Sequence, residues 1–451
     1  MPQSSRIPIV AIVGRPNVGK STLFNRLVGA RQAIVSDEPG TTRDRIIARV
    51  DWGDRVFTIV DTGGLFPEKE TGLWPDMRAQ IDVALDEADV IVFLTDALDG
   101  ITSTDMDVAS LVRRRGKPVV LGVNKVDNQK RELLAMEFYE LGIGEPVFLS
   151  AYHNSGVDDL MIATAEHFPP PFSEIEAPEA MQLAIVGRPN VGKSMLLNTI
   201  LGDKRAVVSD IPGTTRDATD TLADYQGDPV LFIDTAGIRR RGKVEGGIEK
   251  YSVIRSVRAI ERADVAFLVV EALEPGAAQD QHVSGLLLDN YTGVVLVVNK
   301  WDLAAEANLD QAVVLEHLRE RFKFASHIPV RFTSALEGSG IEDLMAAAKE
   351  VYTERNRWVE QQDLSRVIRD ALMAHPPPTV GKRYLRISQP RQEGVAPPMF
   401  TFAVNYPEMI HFSYRRYLEN ELRAAFGFRG NRLKLIFRVR DEDGRRPTPR
   451  V

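Results

Sequence analysis

The octapeptide Gly14-Arg15-Pro16-Asn17-Val18-Gly19-Lys20-Ser21 occurs again, letter for letter, as Gly187-Arg188-Pro189-Asn190-Val191-Gly192-Lys193-Ser194. Each copy fits G-x-x-x-x-G-K-[ST], a loop that wraps a phosphate between a strand and a helix. The residue types follow from that task. Glycine lets backbone N–H groups close around an anion with no Cβ in the way. The lysine reaches the β- and γ-phosphates, the hydroxyl suits magnesium, and the helix that starts at the lysine adds its positive end. The repeat extends beyond the octapeptide, because Ala11–Ser21 and Ala184–Ser194 are identical at an offset of 173.

The flanking residues supply the strand and helix that the loop needs. Arg6 to Val13 is an apolar run that feeds the first loop, and Lys20 to Leu27 places Leu23, Phe24 and Leu27 on one helical face. Ile46 to Trp52 and Arg55 to Val60 read as strands joined by a Gly53-Asp54 turn. Val90 to Thr95, Pro118 to Val123 and Pro146 to Leu149 read as further strands, with helices over Thr104 to Arg115, Arg131 to Leu141 and Val157 to Phe168. Such alternation predicts an α/β fold: a mostly parallel sheet with helices on both faces and ligand sites at the carboxyl ends of strands. Pro169-Pro170-Pro171 opens a proline-rich acidic stretch with Glu174, Glu176 and Glu179, after which the pattern restarts. The expected domains are therefore residues 1–168 and 181–353, joined by a linker at 169–180 and followed by a separate C-terminal domain at 354–451.

More motifs repeat. The offset of 173 also aligns Ser36-Asp37 with Ser209-Asp210, Pro39–Asp44 with Pro212–Asp217, and Asp61-Thr62-Gly63-Gly64 with Asp234-Thr235-Ala236-Gly237. Asn124-Lys125-Val126-Asp127 pairs with Asn299-Lys300-Trp301-Asp302 at 175, and Ser150-Ala151 with Ser334-Ala335 at 184. Two copies with drifting loop lengths mark a duplicated domain, not a solenoid.

In this order and spacing the five motifs are similar to those of translation-factor-class GTPases, and the resemblance implies their roles at a nucleotide, which chemistry can justify. Asp127 and Asp302 can accept two hydrogen bonds from the guanine N1–H and exocyclic amine, a pattern that adenine lacks. Asn124 and Asn299 are expected at the other edge of the base, with Lys125 and Lys300 over the ring and bracing the phosphate loop. Ser150-Ala151 and Ser334-Ala335 would buttress the base. Ser21, Ser194, Asp61 and Asp234 suit magnesium, the aspartates through water. Thr42 and Thr215 are the switch threonines expected there, with Thr41 and Thr214 beside them. The Gly64 and Gly237 N–H groups would touch the γ-phosphate, whose loss releases the loop. Leu65 and Ile238 then stand where Ras-like enzymes place a water-orienting glutamine, and an aliphatic chain cannot do that work. Hydrolysis must depend on other groups, with Lys20, Lys193, Asp61 and Asp234 as catalytic candidates. After Ile238 the second copy runs Arg239-Arg240-Arg241-Gly242-Lys243, where the first has Phe66-Pro67-Glu68-Lys69-Glu70.

Charge divides the chain. Residues 1–353 carry 37 Lys+Arg against 52 Asp+Glu, whereas 354–451 carry 19 against 11. A basic tail on an acidic body points to an anionic partner. With no cysteine, disulfides, thiolate metal sites and thiol nucleophiles are excluded, which is compatible with a reducing cytosol. Met1 to Arg6 does not read as a signal peptide, and the apolar runs fall far short of a membrane span of about 18 residues. The seven histidines are scattered and form no metal-ligating set.

In the tail, Leu364, Val367, Ile368, Ala371 and Leu372 mark one helical face that Pro376-Pro377-Pro378 stops. Tyr384 to Ser388, Met399 to Val404 and Arg432 to Val439 read as strands, and Pro407 to Phe426 as a helix. Gly427-Phe428-Arg429-Gly430 spells a GXXG but falls between a helix and a strand, so it reads as a helix C-cap and turn. Arg415, Arg416, Arg432, Lys434 and Arg438 are candidate phosphate contacts.

Two five-motif sets followed by the run His411 to Asn420 resemble the Der (EngA) family of double-GTPase ribosome-assembly factors over nearly the whole chain. The resemblance implies two P-loop GTPase domains and a KH-like α+β domain, with GTP/GDP and Mg2+ as ligands and hydrolysis by water. It also implies K+ at Asn17 and Asn190, and with it a catalytic role for both. The implied role is a cytoplasmic switch in maturation of the large ribosomal subunit, with that subunit and its rRNA as partners, no membrane, and a monomeric state. The rival is a nucleotide-gated scaffold for protein or membrane partners. The basic tail and the lack of an amphipathic lipid-binding helix weigh against it.

Overall fold

The structure, a computed structural model, describes residues 7–29, 47–53, 55–62, 88–169, 180–208, 220–235, 252–304, 306–322, 327–377, 379–380 and 383–439. These fall into two compact units, one of Met1–Ile175 with Gly247–Ile254 and the other of Glu176–Gly246 with Arg255–Val451.

The first unit runs β1 (Ile9–Val13), α1 (Lys20–Gly29), β2 (Ile47–Trp52), β3 (Arg55–Asp61), β4 (Val90–Asp96), α2 (Ser103–Arg115), β5 (Val119–Asn124), α3 (Gln129–Ala135), β6 (Val147–Phe148) and α4 (Val157–Ala165). The strands form one sheet in the order β2-β3-β1-β4-β5-β6. Only β2 is antiparallel to its neighbour; β1 pairs in parallel with β3 and β4, and the remaining pairs are parallel. The first phosphate loop leaves β1 where successive connections diverge to opposite sides, the switch point at which open α/β sheets bind ligands. Alternation explains the burial. Val10, Ile12, Val90, Val92 and Leu94 pack with Leu23, Phe24, Leu160 and Met161 of α1 and α4. The intervening Ile9, Ala11, Ile91 and Phe93 are buried as well, so both sheet faces are covered.

The second unit repeats this plan with β7 (Met181–Val186), α5 (Lys193–Gly202), β8 (Ala206–Val208), β9 (Thr221–Tyr225), β10 (Asp228–Phe232), β11 (Val265–Glu271), α6 (Ala278–Asp289), β12 (Gly293–Asn299), α7 (Gln311–Arg321), β13 (Val330–Phe332) and α8 (Ile341–Arg355). Its sheet order is β13-β12-β11-β7-β10-β9-β8. The extra strand β8 pairs antiparallel with β9, which pairs antiparallel with β10.

The C-terminal part of this unit has α9 (Gln361–Ala374), a short hairpin of β14 (Thr379–Val380) and β15 (Arg383–Tyr384), then β16 (Ile387–Val395), β17 (Pro398–Val404), α10 (Phe412–Phe426) and β18 (Lys434–Val439). The expected α-β-β-α-β order is present, with β16 antiparallel and β18 parallel to β17. Leu364 and Ile368 of α9 and Leu418 and Leu422 of α10 pack on Phe400 and Phe402 of the sheet.

Several boundaries differ from the periodicity reading. The helix expected from Arg131 begins at Gln129, because the Asn128 side chain caps it by accepting from Arg131 N at 3.0 Å. From Met136 to Leu141 the chain tightens into a 3-10 turn that ends at left-handed Gly142. The helix expected from Pro407 is a 3-10 turn, Pro407–Met409, followed by α10, whose start His411 caps. The strand expected over Tyr384 to Ser388 is split between β15 and β16. The expected linker at 169–180 lies, but for its two end residues, outside the described residues, as does Asp54 of the first hairpin turn.

The Gly427–Gly430 turn does cap α10, with Gly427 N donating to Arg423 O at 2.9 Å. It also docks the C-terminal domain on the second α/β domain. Val294 N of β12 donates to Gly430 O at 2.8 Å, and Gly430 N donates to His327 O at 2.8 Å. Phe428, fully buried, donates its N–H to Glu354 Oε2 at 2.6 Å. Asn431, also fully buried, donates to the Val351 carbonyl at 2.9 Å. Phe428→Ala is expected to cost about 3–5 kcal/mol. Denaturant unfolding should show the second unit's transition moving to lower denaturant and the first unit's staying in place.

Candidate nucleotide sites

Both phosphate loops have the same backbone. Asn17 (φ 66°) and Asn190 (φ 63°) occupy the left-handed region, where asparagine is among the best tolerated residues after glycine. A Cβ at Gly14 would lie 2.2 Å from the Leu94 carbonyl oxygen, and one at Gly187 2.3 Å from that of Val269. A Cβ at Gly19 or Gly192 would lie 2.3 Å from the amide nitrogen of Asn124 or Asn299. These glycines are thus required by close approach as well as by backbone shape. Lys20 Nζ donates to the carbonyls of Gly14 and Arg15 at 2.9 and 2.8 Å, and Lys193 Nζ to those of Gly187 and Arg188 at 2.9 and 2.6 Å. Each ammonium is held across the mouth of its own loop.

Behind the loops one amide joins three strand ends. Asn124 Nδ2 donates to Val18 O at 2.8 Å, and Asn124 Oδ1 accepts from Ala151 N at 2.9 Å. Asn299 does the same with Val191 O at 2.8 Å and Ala335 N at 3.1 Å, and accepts also from the Thr333 hydroxyl at 3.1 Å. The expected lysine brace is therefore supplied by asparagine. An amide can donate and accept at once, whereas an ammonium only donates. Lys125 and Lys300, both with positive φ, point their ammonium groups at Asp96 and Glu271 instead. Val126 N donates to Leu149 O and Trp301 N to Thr333 O, each at 3.0 Å, so both motif turns are pinned to the neighbouring strand end.

Ser21 Oγ donates to Asp61 Oδ2 at 2.6 Å, which brings together two expected magnesium ligands from α1 and β3. Thr62 Oγ1 donates to Ile12 O at 2.8 Å and fixes the strand that carries Asp61. In the second copy Asp234 has positive φ and donates its N–H to Asp220 Oδ1 at 3.0 Å, while Thr235 shares a 2.8 Å hydroxyl contact with Thr221. The carboxylates expected to read the base also differ. Asp127 is paired with Arg131, and Asp302 accepts from Ser334 Oγ at 2.6 Å. Ser150 Oγ instead accepts from His153 N at 3.4 Å.

A second repeated pair was not anticipated from the sequence. Ser150 and Ser334 bridge to Ser155 and Ser339, each followed by a left-handed glycine. A Cβ at Gly156 would meet the Phe148 carbonyl oxygen at 2.2 Å, and one at Gly340 that of Phe332 at 2.3 Å. The signal was present as S-A-x-x-x-S-G in both copies. The loop arginines are anchored too. Arg15 Nη2 donates to Asp99 at 2.7 Å with Nε 3.5 Å from buried Asp105, and Arg188 pairs with Glu274 with Nε 3.8 Å from buried Asp280.

Two segments of the chain, residues 9–125 and 182–300, match the family described as 50S ribosome-binding GTPase. Residues 359–438 match the C-terminal KH-domain-like region of EngA bacterial GTPase enzymes. The chain is 48% identical to the GTPase Der of Chloroflexus aggregans over 441 residues, covering 96% of this chain and 98% of that one. It is 48% identical to that of Thermomicrobium roseum over 444 residues, covering 96% of each, and 46% identical to that of Desulfitobacterium hafniense over 438 residues, covering 97% and 99%.

The chain belongs to the GTPase Der family.

Membership makes the two α/β domains P-loop GTPase domains and the C-terminal domain KH-like, and GTP/GDP with Mg2+ are the ligands that the family implies. Thr41, Thr42, Thr214, Thr215, Gly63, Gly64, Leu65, Ala236, Gly237, Ile238 and the Arg239–Lys243 run lie outside the described residues. Of the tail candidates, Arg432 faces the second GTPase domain, donating to Leu288 O at 3.1 Å and lying over the Tyr291 ring. Lys434 lies over the same ring. Arg438 pairs with Glu393 at 3.3 Å, and Arg415 donates to Leu435 O at 3.0 Å. Among the described residues no helix is long and apolar enough to cross a membrane.

Asn299→Ala would leave the Val191 carbonyl and the Ala335 N–H without this partner, at a cost of about 2–4 kcal/mol. Titration calorimetry should show guanine nucleotide binding at the second site weakened at least roughly tenfold, with the first site unchanged. Asp280 carries a pH signature. Burial pushes its carboxyl up to about 6 against the pull of Arg188. Its counterpart Asp105 accepts from the Thr102 hydroxyl at 2.7 Å, whereas Ala277 stands at the matching place beside Asp280. The folded chain therefore holds an extra proton between about pH 4 and pH 6, and stability falls as pH rises through that window. In Asp280→Asn this part of the decline should vanish from thermal midpoints measured across it.

Proposed function

We propose that this GTPase binds and hydrolyses GTP at both sites and acts as a switch in maturation of the large ribosomal subunit. The observation that carries the nucleotide reading is the paired architecture: in each copy one buried asparagine holds a phosphate loop and a base-side loop in register. Gly14–Ser21 and Gly187–Ser194 hold the phosphates, and Lys20 and Lys193 neutralise their developing charge as water attacks the γ-phosphate. Asp127 and Asp302 read the guanine, flanked by Asn124, Lys125, Val126, Ser150 and Ala151 in one site and by Asn299, Lys300, Trp301, Ser334 and Ala335 in the other.

The donor set fits magnesium. Ser21 and Asp61 place hard oxygen atoms 2.6 Å apart at the start of α1, and among the described residues no cluster of three or more His, Cys, Asp or Glu offers an all-protein cage. Magnesium is usually held by one or two such groups together with substrate phosphates, where it offsets phosphate charge. Ser194 and Asp234 are their counterparts, with Thr42 and Thr215 joining from the switch segments. Exposed Asn17 and Asn190, each in a left-handed turn, would hold potassium in the role that an arginine finger fills elsewhere.

The ribosomal role is supported by the family description and by the basic tail, in a cytoplasmic monomer with rRNA as partner. Purified chain should sediment with large ribosomal subunits at moderate salt in a non-hydrolysable GTP analogue and less so in GDP; no nucleotide-dependent association would overturn this role. Lys20→Ala and Lys193→Ala should each lower GTP turnover by at least roughly a hundredfold at their own site. Replacing potassium by sodium should slow turnover several-fold, and equal rates would remove the potassium sites.

A further inference from the structure

The two base-reading carboxylates sit in opposite electrostatic surroundings. Asp127 is ion-paired with Arg131 at i,i+4, their side chains 27% and 32% exposed. Asn128 Nδ2 donates to the other Asp127 oxygen at 2.7 Å, and Arg131 Nη1 also lies 3.3 Å from the Lys125 carbonyl oxygen. Loop length is the cause. Helix α3 begins two residues after Asp127, and its Asn128 cap turns Arg131 back toward the motif. In the second domain Trp301–Ala304 forms a 3-10 turn and α7 starts only at Gln311. The residue four places after Asp302 is Glu306, which is exposed. Asp302 accepts instead from the Ser334 hydroxyl.

A carboxylate already engaged by a guanidinium is a weaker acceptor for the N–H groups of guanine. The same guanidinium can donate to an oxygen at purine C2, where guanine carries an amine. We propose that Arg131, as a positioning residue acting through Asp127, gives the first site a looser preference for guanine over 2-oxopurine (xanthine) nucleotides than the second site has. The inference rests on the reading of Asp127 and Asp302 as the base readers. Exposed i,i+4 ion pairs are weak, so the difference is a factor of roughly two to five, not an inversion.

The test uses the full chain, with Lys193→Ala isolating the first site and Lys20→Ala the second. GDP and XDP dissociation constants are measured by competition with a fluorescent guanine nucleotide. The XDP-to-GDP ratio should be smaller at the first site. Arg131→Gln should raise it there by about two- to fivefold and leave the second site unchanged, while Arg131→Lys retains the low ratio. With Arg131 in place, raising salt from about 0.05 M to about 0.5 M should raise the first-site ratio as the ion pair is screened. A first-site ratio indifferent to both Arg131→Gln and salt overturns the proposal. Asp127→Asn separates the two levels. If it turns the first site toward XDP while Arg131→Gln is inert, only the role of Arg131 falls. If it does not, the base-reader assignment falls and takes this proposal with it.

Discussion

Each nucleotide site is organised by a single buried amide. Asn124 and Asn299 donate to a phosphate-loop carbonyl and accept from an alanine N–H at the far side of the pocket. They tie together loops that leave three different strands. Only 3% and 1% exposed, these asparagines have little water to replace either partner. The same amide explains Gly19 and Gly192, whose Cβ atoms would collide with it. A glycine of one motif and an asparagine more than a hundred residues later are therefore two sides of one contact.

Much of the fold was legible because its strands are short β-branched runs buried on both faces, and because the pattern occurs twice. The α/β architecture and the strand-end placement of the motifs followed from that, whereas the α-β-β-α-β order of the tail, which occurs once, followed from its own apolar spacing. Helix starts were less legible. Asn128 and His411 cap helices where apolar spacing gives no sign, and Met136–Leu141 and Pro407–Met409 have residues compatible with α-helix yet wind more tightly.

Within the sites, residue identity was legible and division of labour was not. Whether asparagine or lysine braces a loop depends on which one reaches a donor and an acceptor together, a property of three-dimensional placement. The serine-glycine pairs Ser155-Gly156 and Ser339-Gly340 carry no chemical signature, because they act through close backbone approach. The difference between Asp127 and Asp302 arises from loop length, which sets whether a residue at i+4 can fold back. Arg432 illustrates the reverse case: its charge suggested a polyanion, and its position assigns it to the neighbouring domain.

Strand β12 begins against the Gly430 carbonyl and ends at Asn299, the amide that holds the second phosphate loop. The tail is thus no detachable appendage. A chain cut after α8 would uncover the Val294 N–H, the Val351 carbonyl and the apolar seat that Gly430 now fills without room for a Cβ. Any lineage that lost the tail would have to rebuild the underside of its second GTPase domain in the same step.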